Sequence, residues 1–367
     1  MKLAKSVAVV LASALALAGC SARPDSVLPT PVNVTACILG DQQGLDDHSV
    51  GSSAYLGMLQ AQAQYGVKLR VAKIAEGSTD ADKLTAYKNL LKKGCSIMVG
   101  VGDAADVFEN QASAHANLKF ILVHGRSYSL GDASGVRASK LSNVKSISYQ
   151  SEQGGFLAGY LAASQSQSGK VAAFGSSLTR TETSLLAGFY LGVQYANEVQ
   201  GKAVEVLGHN RGDVWQAVGK NDSEAARTTT IQYLSDGADV IFPVVGDSQA
   251  DGAALSALTL IQANDAVSMI GSVTDWYKNP SAREVRDRLL ASVTLSIQQD
   301  VANAIGTAVA GTFVGGTEGS ILGNLDNTGV SITGAHSIAY PQSFNLVLSQ
   351  LIQDIKDGKV VVKSNLR

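Results

Sequence analysis

From Val34 onward, short runs of Val, Ile, Leu and Ala alternate with longer stretches in which apolar residues recur at helical spacing. Val34–Leu39, Lys68–Ile74, Ser96–Val101 and Lys119–Val123 read as strands, with a short extended piece at Val144–Tyr149. Between them lie helical patterns at Ser52–Tyr65, stopped by Gly66, at Asp80–Leu91, stopped by Lys-Lys-Gly94, and at Ala105–Ala114. The alternation then starts again. A helix over Gly154–Ser164 precedes strands at Val171–Phe174, Ala203–Leu207, Asp239–Val245 and Val267–Gly271, interleaved with helices at Ser184–Glu198, Ser223–Asp236 and Gly252–Ala263. Near-continuous apolar strands separated by helices of this length predict parallel sheets covered on both faces.

Two such series joined near Tyr149 predict an α/β fold of two doubly wound lobes. The tail changes element type: a strand at Leu290–Val293, a long helix at Ser296–Ala310, a Gly-rich β piece at Thr312–Gly334 and a last helix at Ser343–Lys356. A tail of this kind recrosses between the lobes and makes a multi-strand hinge around a cleft. The resulting division puts residues 33–147 and 294–314 in the first lobe, and 148–293 and 315–367 in the second.

The first residues follow a different logic. Met1-Lys-Leu-Ala-Lys5 is basic, and Ser6–Ala18 is apolar but too short for a permanent membrane span, so 1–19 reads as a signal peptide. Leu17-Ala-Gly-Cys20 looks like a bacterial lipobox, whose cysteine is acylated and becomes residue one. Residues 20–32 are then a tether, and Cys20 the anchor to the outer face of the cytoplasmic membrane. The mature chain of about 345 residues exceeds one compact core, in keeping with two lobes.

The full chain carries 29 basic and 31 acidic residues. Removing 1–19 takes away Lys2 and Lys5 only, leaving 27 against 31 and a net charge of −4. No basic stripe is present, which argues against nucleic acid as a partner. Cys37 and Cys95 fall in strands of the same half; the reading taken is buried thiols, with a disulfide as the alternative in an oxidising compartment.

Motifs for catalysis are missing. Gly100-Val-Gly102-Asp lacks the third glycine of a dinucleotide fingerprint, and there is no Gly-x-Ser-x-Gly elbow, Walker loop or His-Glu-x-x-His. The five histidines have no metal-site spacing, so neither a metal nor a cofactor is expected. Polar and aromatic residues do gather where strands end: Asp41–Ser49, Asp103, His124, Gly246-Asp247-Ser248 and Asp275-Trp276-Tyr277. Ligands bind at the carboxyl ends of strands in such sheets, in pockets with apolar walls and a few placed polar groups. Asp46, Asp47 and Ser49 also suit a helix cap, and the two roles coexist. Trp215, in the polar loop Asn210-Arg-Gly-Asp-Val-Trp215-Gln, either packs that loop or stacks on a ligand.

Four motifs, in order, carry a resemblance over essentially the whole mature chain. Gly44-Leu-Asp-Asp-His-Ser-Val-Gly-Ser-Ser-Ala-Tyr55 resembles the first ligand turn of the Bmp (basic membrane protein) family, lipoproteins that include the purine-nucleoside receptors of ABC importers. Ser151-Glu-Gln-Gly-Gly-Phe-Leu-Ala-Gly-Tyr-Leu-Ala-Ala163 is similar to its most recognisable helix. Gly237-Ala-Asp-Val-Ile-Phe242 with Gly246, and Gly311-Thr-Phe-Val-Gly-Gly-Thr317 with Asn327-Thr-Gly-Val330, resemble two further signatures. The resemblance implies a lobed fold like the type I periplasmic binding proteins, an ABC permease as partner, a monomer, and no enzymatic activity. It implies ligand contacts from Asp47, Val50, Gly51, His124, Trp215, Gly246, Asp247, Asp275 and Trp276.

The departures bear on the ligand. Where nucleoside receptors place a stacking Phe and an Asn in the first turn, this chain has Val50 and Gly51. Val offers no π-face. His124 stands in place of an Asp, and Leu295 falls where the ribose-contacting Lys is expected. The expectation is a small polar ligand of the nucleoside or nucleobase kind. A sensor or partner-binding lipoprotein on the same fold is the alternative.

Overall fold

The computed structural model describes residues 30–41, 45, 50–75, 78–123, 140–176, 178–210, 214–219, 222–245, 267–333 and 342–363. In the first half, strands β1 (Thr35–Asp41), β2 (Lys68–Ile74), β3 (Ile97–Val101), β4 (Lys119–Val123) and β5 (Val144–Tyr149) alternate with helices α1 (Val50–Tyr65), α2 (Asp80–Lys92) and α3 (Asp103–Ala112). The second half follows with α4 (Ser151–Gln165), β6 (Lys170–Gly175), α5 (Arg180–Gln200), β7 (Glu205–Leu207), β8 (His209–Asn210) and β9 (Val214–Trp215). It continues with α6 (Ser223–Ser235), β10 (Val240–Val244), β11 (Ser268–Gly271) and β12 (Leu289–Leu295). The tail supplies α7 (Ile297–Val309), α8 (Gly316–Gly319), β13 (Ile321–Gly323), β14 (Val330–Ile332) and α9 (Gln342–Lys356). The helix expected at Gly252–Ala263 lies outside the described residues.

Two six-stranded sheets result, in the orders β13-β5-β4-β3-β1-β2 and β14-β12-β11-β10-β6-β7. Every pair is parallel except β12 with β14. β10 is buried at every position, which is why it reads as an apolar run, whereas β5 is equally buried but carries Lys145, Ser146 and Ser148. Val144–Tyr149 is a full inner strand of the first sheet, not a marginal extended piece.

The tail corrects one boundary. The sequence division placed everything from residue 315 in the second lobe, yet β13 pairs with β5 of the first sheet, Ile321 opposite Ile147. Only from β14 does the chain rejoin the second sheet. Strands of three residues carry too little pattern to show which sheet they join.

The cysteines are also corrected. Cys37 in β1 and Cys95 just before β3 form a disulfide, their Cα atoms 5.8 Å apart, rather than remaining thiols. Strand adjacency is the reason: β1 pairs with β3, with Ala36 opposite Ile97. Both sulfurs are buried.

Helices α4 and α5 pack face to face through glycines. A Cβ on Gly155 or Gly159 would collide with the carbonyl oxygens of Leu185 and Phe189, and one on Gly188 or Gly192 with those of Glu152 and Phe156. The contact is reciprocal, each helix offering a Gly-x-x-x-Gly face to the other's backbone. Phe189 stacks on Phe242 of β10 at 5.2 Å, tying this pair to the second sheet.

Candidate functional site

The chain passes from the first sheet to the second after Tyr149, returns after Leu295, and passes over again between Gly323 and Val330. The first two crossings leave from strand carboxyl ends. The described carboxyl ends of β5 and β12 lie at these crossings, where the sequence places the ligand cleft.

Of the residues expected in that cleft, Asp47, His124, Gly246 and Asp247 lie outside the described residues, as does Cys20. Val50 and Gly51 form the first turn of α1, two residues earlier than the periodicity predicts, and both are half-buried. Val50 packs against the core beside the strand ends.

Trp215 is 4% exposed, with its ring 4.7 Å from His209, which in turn lies 4.2 Å from Tyr190. His209 and Trp215 sit opposite one another in a two-strand ladder. That ladder is pinned to the end of β6, where the Gly175 amide donates to Gln216 O and the Val218 amide to Gly175 O, each at 3.0 Å. The loop is thus packed onto the sheet, the structural role considered for Trp215.

Asp275 caps a short 3-10 turn, its carboxylate accepting the Tyr277 amide at 3.2 Å and pairing with Lys278 Nζ at 3.2 Å. The neighbouring Trp276 is a core residue. It is fully buried, its indole N–H donates to Ser272 O at 3.0 Å, and its amide donates to Ser292 Oγ at 3.0 Å. A polar sequence context hid a core residue.

Two features of this edge were not foreseen. After β11 the Thr274 amide donates to Ser272 O at 2.7 Å across Val273, whose φ is 65°. This is a strained γ-turn, and a β-branched residue at its centre gives no sequence warning of it. Val273 O accepts the Leu295 amide at 3.1 Å, binding the turn to the second crossing. The other is Glu182 at the corner after β6. It is the capping-box partner of Thr179, and Ser176 Oγ donates to its carboxylate at 2.7 Å. Thr179-Arg-Thr-Glu182 is a sequence signature of that box and could have located it.

Burial raises the Glu182 carboxyl from 4.5 to about 7, against the hydrogen bonds from Ser176 and Thr179 that lower it. The folded chain therefore keeps a proton that the unfolded chain releases, and the stability this proton supplies falls away as pH rises from 4.5 to about 7. Replacing Glu182 with Gln should remove that slope. The stability of the variant relative to wild type should grow by about 2–3 kcal/mol between pH 5 and pH 8 in denaturant titrations.

Among the described residues no three His, Cys, Asp or Glu side chains gather as a metal site, and no helix is long and apolar enough to cross a membrane. Two α/β lobes joined by three crossings define the fold. The chain belongs to the Bmp family of PnrA-like ABC transporter substrate-binding proteins, whose profile matches residues 35–359. It is 23% identical to the ABC transporter nucleoside-binding protein BmpA of Lactococcus lactis, over 97% of each chain. It is 26% identical to basic membrane protein D of Borreliella burgdorferi over 55% of this chain, and there the match spans only 53% of the relative. Among solved structures, an ABC transporter solute-binding protein from Aeropyrum pernix superposes with a TM-score of 0.71 at 19% identity, covering 91% of this chain and 94% of its own.

Proposed function

We propose that the mature chain, anchored through acylated Cys20 outside the cytoplasmic membrane, encloses a nucleoside or nucleobase between its lobes and delivers it to an ABC permease. The observation that carries this reading is the end-to-end match to a nucleoside-binding relative within the same substrate-binding family. The Cys37–Cys95 disulfide supports an oxidising, extracytoplasmic compartment. Asp47, His124 and Asp247 supply polar contacts, and Gly246 lets the backbone approach. Asp275, paired with Lys278, adds a further polar contact. Val50 and Gly51 leave one wall roomier and less aromatic than in nucleoside receptors with Phe and Asn there.

In this reading a planar ligand stacks on Trp215. Replacing Trp215 with Ala should weaken binding by about 1 kcal/mol or more in calorimetry; an unchanged affinity would take Trp215 out of the site. The ligand class is tested by thermal shift against nucleosides, nucleobases, sugars and amino acids. A nucleoside at a hundred times its Kd should add about 2.7 kcal/mol of stability. A sugar shift with no purine or pyrimidine response refutes the nucleoside. For the anchor, Cys20→Ala should move the protein from the membrane to the soluble fraction.

A further inference from the structure

The three crossings are bonded to one another as well as to their sheets. The Gln150 amide of the first donates to Gly323 O of the third at 2.8 Å, and the Ser296 amide of the second donates to Gly329 O of the third at 3.0 Å. The Leu325 amide of the third donates to Gln153 Oε1, just beyond the first, at 2.9 Å.

Side chains reinforce this at a single carboxylate. Tyr149, the last residue before the first crossing, donates its hydroxyl to Asp300 Oδ2 at 2.6 Å. Ser296, at the second crossing, donates to the same oxygen at 2.6 Å. Hydroxyl bonds of this length to an ionised oxygen are among the stronger ones in proteins. Tyr149 is 9% exposed, and burial together with the nearby Asp300 charge pushes its hydroxyl pKa well above the usual phenol value, so it stays a donor. The third crossing also closes on Tyr149: a Cβ at Gly323 would strike the Tyr149 ring, and a Cβ at Gly329 would strike the Gly323 Cα. All three crossings thus meet at one tyrosine, and the third reaches it only because both positions are glycine.

We propose that Tyr149, Ser296 and Asp300 form a hinge latch, in which the Asp300 carboxylate ties the first crossing to the second and the Tyr149 ring seats the third, so that the three bend as one unit. Hinge motion is absorbed by a few residues at element ends, and three strands tied together share one bending mode where three free ones would have several. The latch restricts how the lobes open. It builds on the hinged substrate-binding reading, but it is testable without ligand and so fails or holds separately from the nucleoside assignment.

The test compares wild type with Asp300→Asn and Tyr149→Phe by amide hydrogen exchange on the ligand-free mature protein. Spin labels at exposed positions 88 on α2 and 198 on α5 report the interlobe distance in the same variants. Exchange should accelerate together at Gln150, Ser296 and Leu325, by about tenfold or more, while amides inside β3 and β10 keep their protection. The interlobe distance distribution should broaden about twofold. Acceleration at Ser296 alone, equal acceleration throughout the sheets, or an unchanged distance distribution would each overturn the latch. Should either variant fail to fold, Ser296→Ala removes one hydroxyl only and should give a smaller effect in the same direction at the same three amides.

Discussion

Gly159→Ala is expected to lower the melting temperature by roughly 6–12 °C, about 3 kcal/mol for a domain-sized unit. Intrinsic propensity argues the other way, since Ala in a helix interior is favoured over Gly by about 1 kcal/mol. The opposite sign follows from the contact. The added methyl would occupy the site of the Phe189 carbonyl oxygen, and backbone cannot rotate aside as a side chain can. Helices α4 and α5 would have to separate, opening the interface around Gly155, Gly188 and Gly192 and disturbing Phe189 on Phe242. Thermal and urea unfolding read this directly. An alanine variant as stable as wild type would show that the helices are not held at that separation.

Loss of the disulfide should be costlier still. Changing Cys37 and Cys95 together to Ala opens a loop with a sequence separation of 58. Chain-entropy arguments put the stabilisation from closing a loop of that size at about 4 kcal/mol. Both sulfurs lie in the core between the first sheet and its helices, near Tyr87, Leu90 and Phe108, so the variant also loses packing. Denaturant titration should show a loss both in the double variant and in wild type under strong reductant, larger in the variant because it also loses the sulfur packing. A variant that melts with wild type would mean the bridge contributes nothing to the folded state.

The parts of the fold legible in the sequence are those whose signal is local. Lys119–Val123 is predicted residue for residue because a strand buried between helix layers is nearly continuously apolar, here from Phe120 to Val123. Gly66 stops α1 because its φ of 69° costs a glycine little. Where the deciding partner is distant, the sequence is mute. Gly155 and Gly159 are recognisable as part of a helix, but their purpose depends on Gly188 and Gly192 in the next one. The cysteine pairing depends on β1 lying beside β3 rather than only beside its sequence neighbour β2. The candidate site shows the same limit. Trp276 stands between Asp275 and Tyr277, a polar setting that suits a cleft, yet Ser272 and Ser292 satisfy its N–H groups inside the core. The Val273 turn has no sequence signature, since only the neighbouring chain can hold a β-branched residue at positive φ. Glu182 was readable from its capping box, while its raised pKa depends on tertiary burial.

The central claim, that this family member closes on a nucleoside between its lobes, is tested most directly by small-angle X-ray scattering of the mature protein titrated with a purine nucleoside. The radius of gyration should fall and saturate at one ligand per chain. An unchanged radius at millimolar nucleoside, with compaction by a sugar or amino acid instead, would contradict it.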